Sequence, residues 1–141
     1  MWLIYAAFSA LFAALVSILA KLGLKNIDPT LATTVRGVIM ASFLLLVSLS
    51  LSKFENFSLA SFSSREWVLI ILSGIAGAIS WLFFFTALKG GPAGGVNAID
   101  RMSIVFVIVF AALFLGEGFN FKIAIGAGLM ALGAALIVFQ P

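Results

Sequence analysis

Long uncharged apolar runs constrain this chain more than any other feature. A helix crossing about 30 Å of hydrocarbon needs about 20 apolar residues. Residues 2–20 carry no charge and stop at Lys21. Residues 37–52 are uncharged, and Pro29, a residue suited to the first helical turn, extends that run to a span over 30–52 with Arg36 inside it. Residues 67–88 form a third run. Residues 102–116 number 15, too few to span; starting at Ala93 gives 24 and places Asp100 and Arg101 within the membrane. Residues 122–140 complete the set. The expected fold is all-α: a polytopic membrane protein, one domain over 1–141, a bundle of five transmembrane helices at about 2–20, 30–52, 67–88, 93–116 and 122–140.

Composition excludes most other classes. Apolar residues make up 64% and charged residues 9% of the chain, against about 45–50% and about 25% in soluble domains. A small soluble globule cannot bury that much apolar surface, so a soluble enzyme, a disordered tail and a disulfide scaffold are ruled out. Histidine and cysteine are absent, which removes the usual base near neutral pH and the thiolate metal ligands. No nucleophile–base pair or metal cluster stands out, so no catalysis, metal or cofactor is expected. The eight basic residues are scattered singly, so no nucleic-acid surface is expected. The first run lacks a charged leader and exceeds a signal-peptide core in length, and reads as a span.

The connections are short. Residues 21–29 make a proline-containing turn, 53–66 a serine-rich loop of mixed charge, and Glu117-Gly-Phe-Asn a tight turn. Lys89-Gly-Gly-Pro separates the third helix from the fourth, and no Gly-Lys-Ser/Thr follows the glycines, so they read as a helix break rather than a phosphate loop. None of these connections holds a nucleotide-hydrolysing domain.

Lysine and arginine near the span ends bias orientation. The face carrying the N-terminus holds Lys53, Arg65 and Lys122; the other holds Lys21, Lys25 and Lys89, with Arg36 and Arg101 at or beneath it. This near balance leans toward the second face as cytoplasmic and leaves single and dual insertion both open. The sequence shows no internal repeat. A five-helix unit has its ends on opposite faces, so an antiparallel homodimer would reproduce the inverted-repeat architecture of many transporters.

Asn97, Asp100, Arg101 and Ile104 are spaced to share one face of the fourth helix. By helical rise Arg36 and the Asp100–Arg101 pair fall at similar depth. Charges there cost a few kcal/mol unless paired or hydrated, and usually face a bundle interior or a watery cavity. One reading is a solute pathway in which Asp100 partners Arg36 or Arg101 and the surplus cation meets a substrate carboxylate or phosphate. The others are a late helix start with snorkelling arginines and a capping Asp100, or a static buried pair. Mid-span Trp81 either lines a cavity or fills the core. The substrate-binding candidates are Arg36, Trp81, Asn97, Asp100 and Arg101. Asp100, the one acidic residue inside a span, is the candidate for any proton coupling. Ser73/Gly77, Gly74/Ala78, Ala124/Gly128 and Ala131/Ala135 are small-residue pairs expected to pack helices closely. Trp2, Tyr5 and Trp67 read as interfacial anchors.

Three stretches carry a family likeness: Ala20-Lys21-Leu22-Gly23-Leu24 followed by Asp28-Pro29 and Arg36; Ala87-Leu88-Lys89-Gly90-Gly91-Pro92-Ala93; and Asp100-Arg101-Met102-Ser103-Ile104-Val105-Phe106 leading to Phe114-Leu115-Gly116-Glu117. In their order and spacing the chain resembles the EamA domain of the drug/metabolite transporter superfamily over nearly its whole length. The resemblance implies one half of a ten-helix inverted-repeat transporter, small-metabolite export across a bacterial or archaeal cytoplasmic membrane, and a central cavity. It matches Arg36, Asp100, Arg101 and Glu117 to characteristic positions, Glu117 in a structural role. The small multidrug resistance proteins carry an acidic residue in helix 1 that this chain lacks. The expected function is therefore a secondary transporter, an exporter or exchanger of a small polar metabolite working by alternating access as an antiparallel homodimer. The alternatives are a non-transporting packing subunit that binds an unlike membrane protein, and a lipid-linked sugar flippase.

Overall fold

The computed structural model describes residues 1–55, 57–58, 62–118 and 120–139. These residues form helices and turns: α1 (Trp2–Gly23), α2 (Pro29–Ser50), α3 (Ser64–Gly90), α4 (Ala93–Asp100), α5 (Ser103–Phe110), a π-helical turn (Ala111–Leu115) and α6 (Phe121–Val138). α4, α5 and the π turn succeed one another along Ala93–Leu115, so five segments are long and apolar enough to cross a membrane. The protein is an all-α, multi-pass membrane protein. Phe119 of the expected last turn, Asn56 and residues 59–61 of the serine-rich loop, and Gln140 of the last span lie outside the described residues.

Helix boundaries follow from local capping. Oδ1 of Asp28 accepts from the N–H groups of Thr30 at 2.9 Å and Leu31 at 3.0 Å, with Pro29 in the first turn as expected. α3 begins before the uncharged run, because Ser63 and Glu66 cap it reciprocally. Ser63 donates its N–H to Glu66 Oε2 at 2.7 Å, and the Glu66 N–H donates to Ser63 Oγ at 3.3 Å. Each half satisfies a donor that the first helical turn leaves orphaned. Asn120 Oδ1 accepts from Ile123 N–H at 3.0 Å and opens α6. Left-handed residues close two spans. Ser52 has φ 51° and Gly116 φ 66°; at these points Lys53 N–H donates back to Ser48 O and Glu117 N–H to Ala111 O. α2 therefore stops short of the expected residue 52.

The chain divides into two compact units, Met1–Leu22 with Gly90–Pro141, and Gly23–Lys89. In the first, α4 packs on α6, and α5 on the π turn and α6. Small residues permit the approach. A Cβ added at Gly95 would come within 3.3 Å of Pro92 Cγ and 4.0 Å of Val138 Cγ2, while Ala98 and Ala134 are buried. Among the described residues of the second unit, the buried ones are Leu24, Thr33, Phe85 and Leu88, all near where α2 begins and α3 ends. Lys89 Nζ donates to Ile27 O at 3.1 Å and ties the same end.

The small-residue expectation names positions other than Gly95, Ala98 and Ala134 of the α4–α6 contact. It is not met at Gly74, Gly77 or Gly128, where an added Cβ would meet nothing within 4 Å. Large apolar side chains face outward instead: Phe83, Leu113 and Phe114 are 73, 72 and 80% exposed. Lipid tails are as apolar as leucine, so these side chains gain little by leaving the membrane for a helix interface.

Candidate functional site

In Gly23–Lys89, α2 and α3 flank a cleft of about 450 Å³. Its walls are small side chains and backbone, chiefly Thr33, Gly37, Gly74 and Gly77, with Trp81 as the one large polarisable surface. The glycines expected to pack helices thus make room. Thr33 and Thr34 donate their hydroxyls back to the carbonyls of Pro29 and Thr30 at 2.7 and 2.9 Å.

Arg36 meets the tryptophan of that cleft. Its guanidinium carbon lies 4.2 Å from the Trp81 ring centroid and 4.9 Å from that of Phe85. Such contacts stabilise by about 0.5–2 kcal/mol, more when water is excluded. The aromatic contacts supply no counter-charge to the guanidinium and its N–H groups. Within this unit, among the described residues, no carboxylate meets them.

In the other unit the expected continuous fourth helix is broken. α4 ends at Asp100 and α5 begins at Ser103. Met102 N–H donates to Ile99 O rather than Ala98 O; Ile104 N–H donates to Arg101 O, and Val105 N–H to Met102 O. Three i→i−3 bonds thus tighten the ladder, and the carbonyls of Ala98 and Asp100 lose their usual partners. The single face expected for Asn97 through Ile104 therefore ends at the break. Broken helices inside a membrane are tolerated where the freed backbone lines protein or water.

A second cleft, of about 490 Å³, lies between α1 and α4, bordered by Ala10, Ala14, Ser17, Ala93, Asn97 and Arg101. Asn97 Nδ2 donates to Ala93 O at 2.8 Å. That turns its Oδ1 toward Ser17, whose hydroxyl lies 2.9 Å from Asn97 Oδ1 and 3.0 Å from Ala13 O. Arg101 is exposed and Asp100 partly buried. Among the described residues of this unit no ion pair joins Asp100 to Arg101, so the Arg101 half of the expected pairing is not met. Lys21 Nζ donates to Gly91 O at 2.8 Å. This fastens the end of α1 to the Gly-Gly-Pro break and joins two of the family-like stretches.

The structure brings Arg36 and Trp81 together in one unit, and Asn97 and Arg101 to one cleft in the other. The site candidates read from the sequence did not include Phe85, one of three consecutive phenylalanines, or Ser17, a lone hydroxyl far along an apolar helix. Both share a face with a polar residue only once helices are paired.

Two largely apolar clefts between spanning helices, with Arg36 beside one and Arg101 on the other, are features a membrane transporter can use. The chain belongs to the EamA-like transporter family, which matches residues 1–139, and with it to the drug/metabolite transporter superfamily. An uncharacterised transporter in the cobO 3′ region of Sinorhizobium sp. is 37% identical over 136 residues, 96% of this chain and 95% of that protein. The pseudopaline exporter CntI of Pseudomonas aeruginosa is 34% identical over 76 residues, 53% of this chain and 27% of that exporter, in each of two strains. No solved structure matches the chain. The protein is a membrane transporter, and these likenesses point away from an enzyme.

Proposed function

We propose that this protein is a secondary transporter that exports or exchanges a small polar metabolite by alternating access, in a bacterial or archaeal cytoplasmic membrane. The observation that carries the reading is a family match over 1–139 on a chain with five spanning segments. Five spans put the ends of the chain on opposite faces, so a second copy inserted the other way up would supply inverted repeats. An antiparallel homodimer is accordingly the working assembly. The open glycine face on α6, at Gly128 and Gly133, suits close approach by that second copy.

Each unit supplies its own substrate-binding surface: Arg36 and Trp81 in one, Asn97, Asp100 and Arg101 in the other. Asp100 is the group available for proton coupling. The broken span gives these residues a segment that can bend without unfolding a full helix.

Counterflow in proteoliposomes tests this. Proteoliposomes holding the purified protein are loaded with unlabelled amino acids, short carboxylates and phenylacetate, and uptake of the labelled compounds is followed. Saturable uptake that falls tenfold or more in Arg101→Gln, with the variant still monodisperse, supports the reading. Absence of counterflow across the panel argues for a non-transporting subunit, and unchanged flux in Arg101→Gln and Asp100→Asn removes both residues from the mechanism.

A further inference from the structure

We infer that the α2–α3 cleft with Arg36 is a binding site for a soluble organic anion that carries an apolar body, a monocarboxylate rather than a zwitterion. The inference rests on the transporter reading above and names the substrate class of one of its surfaces.

Three observations converge. First, the cation is held by aromatic faces. Arg36 lies 4.2 Å over Trp81 and 4.9 Å over Phe85, and Phe85 is only 2% exposed, so the rings hold the guanidinium without neutralising it. A guanidinium with no carboxylate partner in its unit can grip an incoming carboxylate through two parallel hydrogen bonds.

Second, the volume beside it suits an apolar body. The cleft of about 450 Å³ shares Trp81 with the cation. Its two threonine hydroxyls donate to their own helix backbone, so they offer a ligand no donated proton while they do so. The remaining wall is glycine, alanine, leucine and Ser73.

Third, among the described residues of this unit no carboxylate borders the cleft to pair with an ammonium. The unit's acidic residues are Asp28, Glu55 and Glu66. Asp28 caps α2 and Glu66 caps α3, and none of the three borders the cleft. A zwitterion would bring a positive group into an apolar space beside Arg36. Desolvating that charge unpaired is unfavourable, and like charges at close range add repulsion.

Anionic lipid shares this chemistry, with a phosphate on an apolar body, so the test separates the two sources. Trp2→Phe with Trp67→Phe leaves Trp81 as the sole tryptophan. The protein in neutral phosphatidylcholine vesicles is titrated with phenylacetate, acetate, phenethylamine and phenylalanine, reading Trp81 emission. Phenylacetate is expected to give a saturable change. Arg36→Gln should weaken it tenfold or more, and Arg36→Lys, which keeps the charge but loses the fork, should fall between. Acetate should bind at least tenfold more weakly for want of a body, phenylalanine likewise because of its ammonium, and phenethylamine should not bind.

No saturable response to phenylacetate, an equal response in Arg36→Gln, or equal binding of phenylalanine overturns the inference. A change produced only by adding phosphatidylglycerol, with no response to phenylacetate, overturns it in favour of a lipid headgroup. Binding is read without flux, so the two claims fail separately. Arg36-dependent binding with no counterflow sinks the transport reading alone. Counterflow with phenylacetate binding independent of Arg36 sinks this inference alone.

Discussion

The hydroxyl of Ser17 on α1 lies 2.9 Å from the amide oxygen of Asn97 on α4, and this contact borders the cleft between those helices. One hydroxyl proton serves both Asn97 and the Ala13 carbonyl, so the bond can be exchanged without exposing an unpaired donor. Interhelical bonds of this kind contribute about 0.6 kcal/mol in membranes, at most about 1.7. Ser17→Ala should destabilise the protein by that amount in detergent unfolding. A cycle with Asn97→Ala should show coupling of the same size; strictly additive losses would mean the two side chains do not act together.

Lys21 reaches the Gly91 carbonyl at 2.8 Å. A hydrogen bond to a charged group contributes about 1.5–3 kcal/mol. Lys21→Met should lower stability within that range, while Lys25→Met, a change at an exposed turn residue, should stay within about 0.5 kcal/mol. Equal effects at the two lysines would contradict a specific role for the Gly91 bond.

The two left-handed residues predict opposite signs. Gly116 has φ 66° with open space around its Cβ position, so Gly116→Ala costs backbone energy alone, about 1–2 kcal/mol. Ser52, at φ 51°, already bears that strain, and Ser52→Gly should stabilise by a fraction of that, about 0.5–1 kcal/mol. Thermal unfolding of both variants decides the matter, and shifts of the same sign would refute the assignment.

The reciprocal cap at the start of α3 gives a sharper test. Ser63→Ala removes the acceptor for Glu66 N–H and should cost about 1 kcal/mol. Glu66→Gln keeps a side-chain oxygen able to accept from Ser63 and should cost less. The order of the two losses, not their absolute size, is what matters.

Orientation tests the dimer. The native chain has no cysteine, so one cysteine placed after the last residue reports cleanly. An impermeant maleimide applied to intact cells should label about half of the protein, and all of it after permeabilisation, if both orientations coexist. Labelling that is complete or absent before permeabilisation would show a single orientation and require an oppositely inserted partner of different sequence.

Span number and class were legible in the sequence because hydrocarbon thickness and backbone hydrogen bonding leave helices few options. Pro29 likewise announced the start of α2. The break at Arg101–Met102 was not legible. Residues 93–116 carry an unbroken apolar pattern apart from one charged pair, and a pattern shows hydrophobic character, not which carbonyl each N–H selects.

The same limit governs the small residues. Sequence alone established that α3 and α6 carry faces where another helix could come close. Only tertiary structure decided that α6 meets α4 around Ala134 and Gly95 while Gly128 stays open, and that Gly74 and Gly77 border a cleft. Sequence placed Arg36 in the membrane as a charge needing company. Its company proved to be Trp81 and Phe85, 45 and 49 positions away along the chain. In lipid, apolar side chains are equally content facing tails or each other. Composition therefore fixes that a helix spans, and the pairing of particular helices fixes what its polar residues meet.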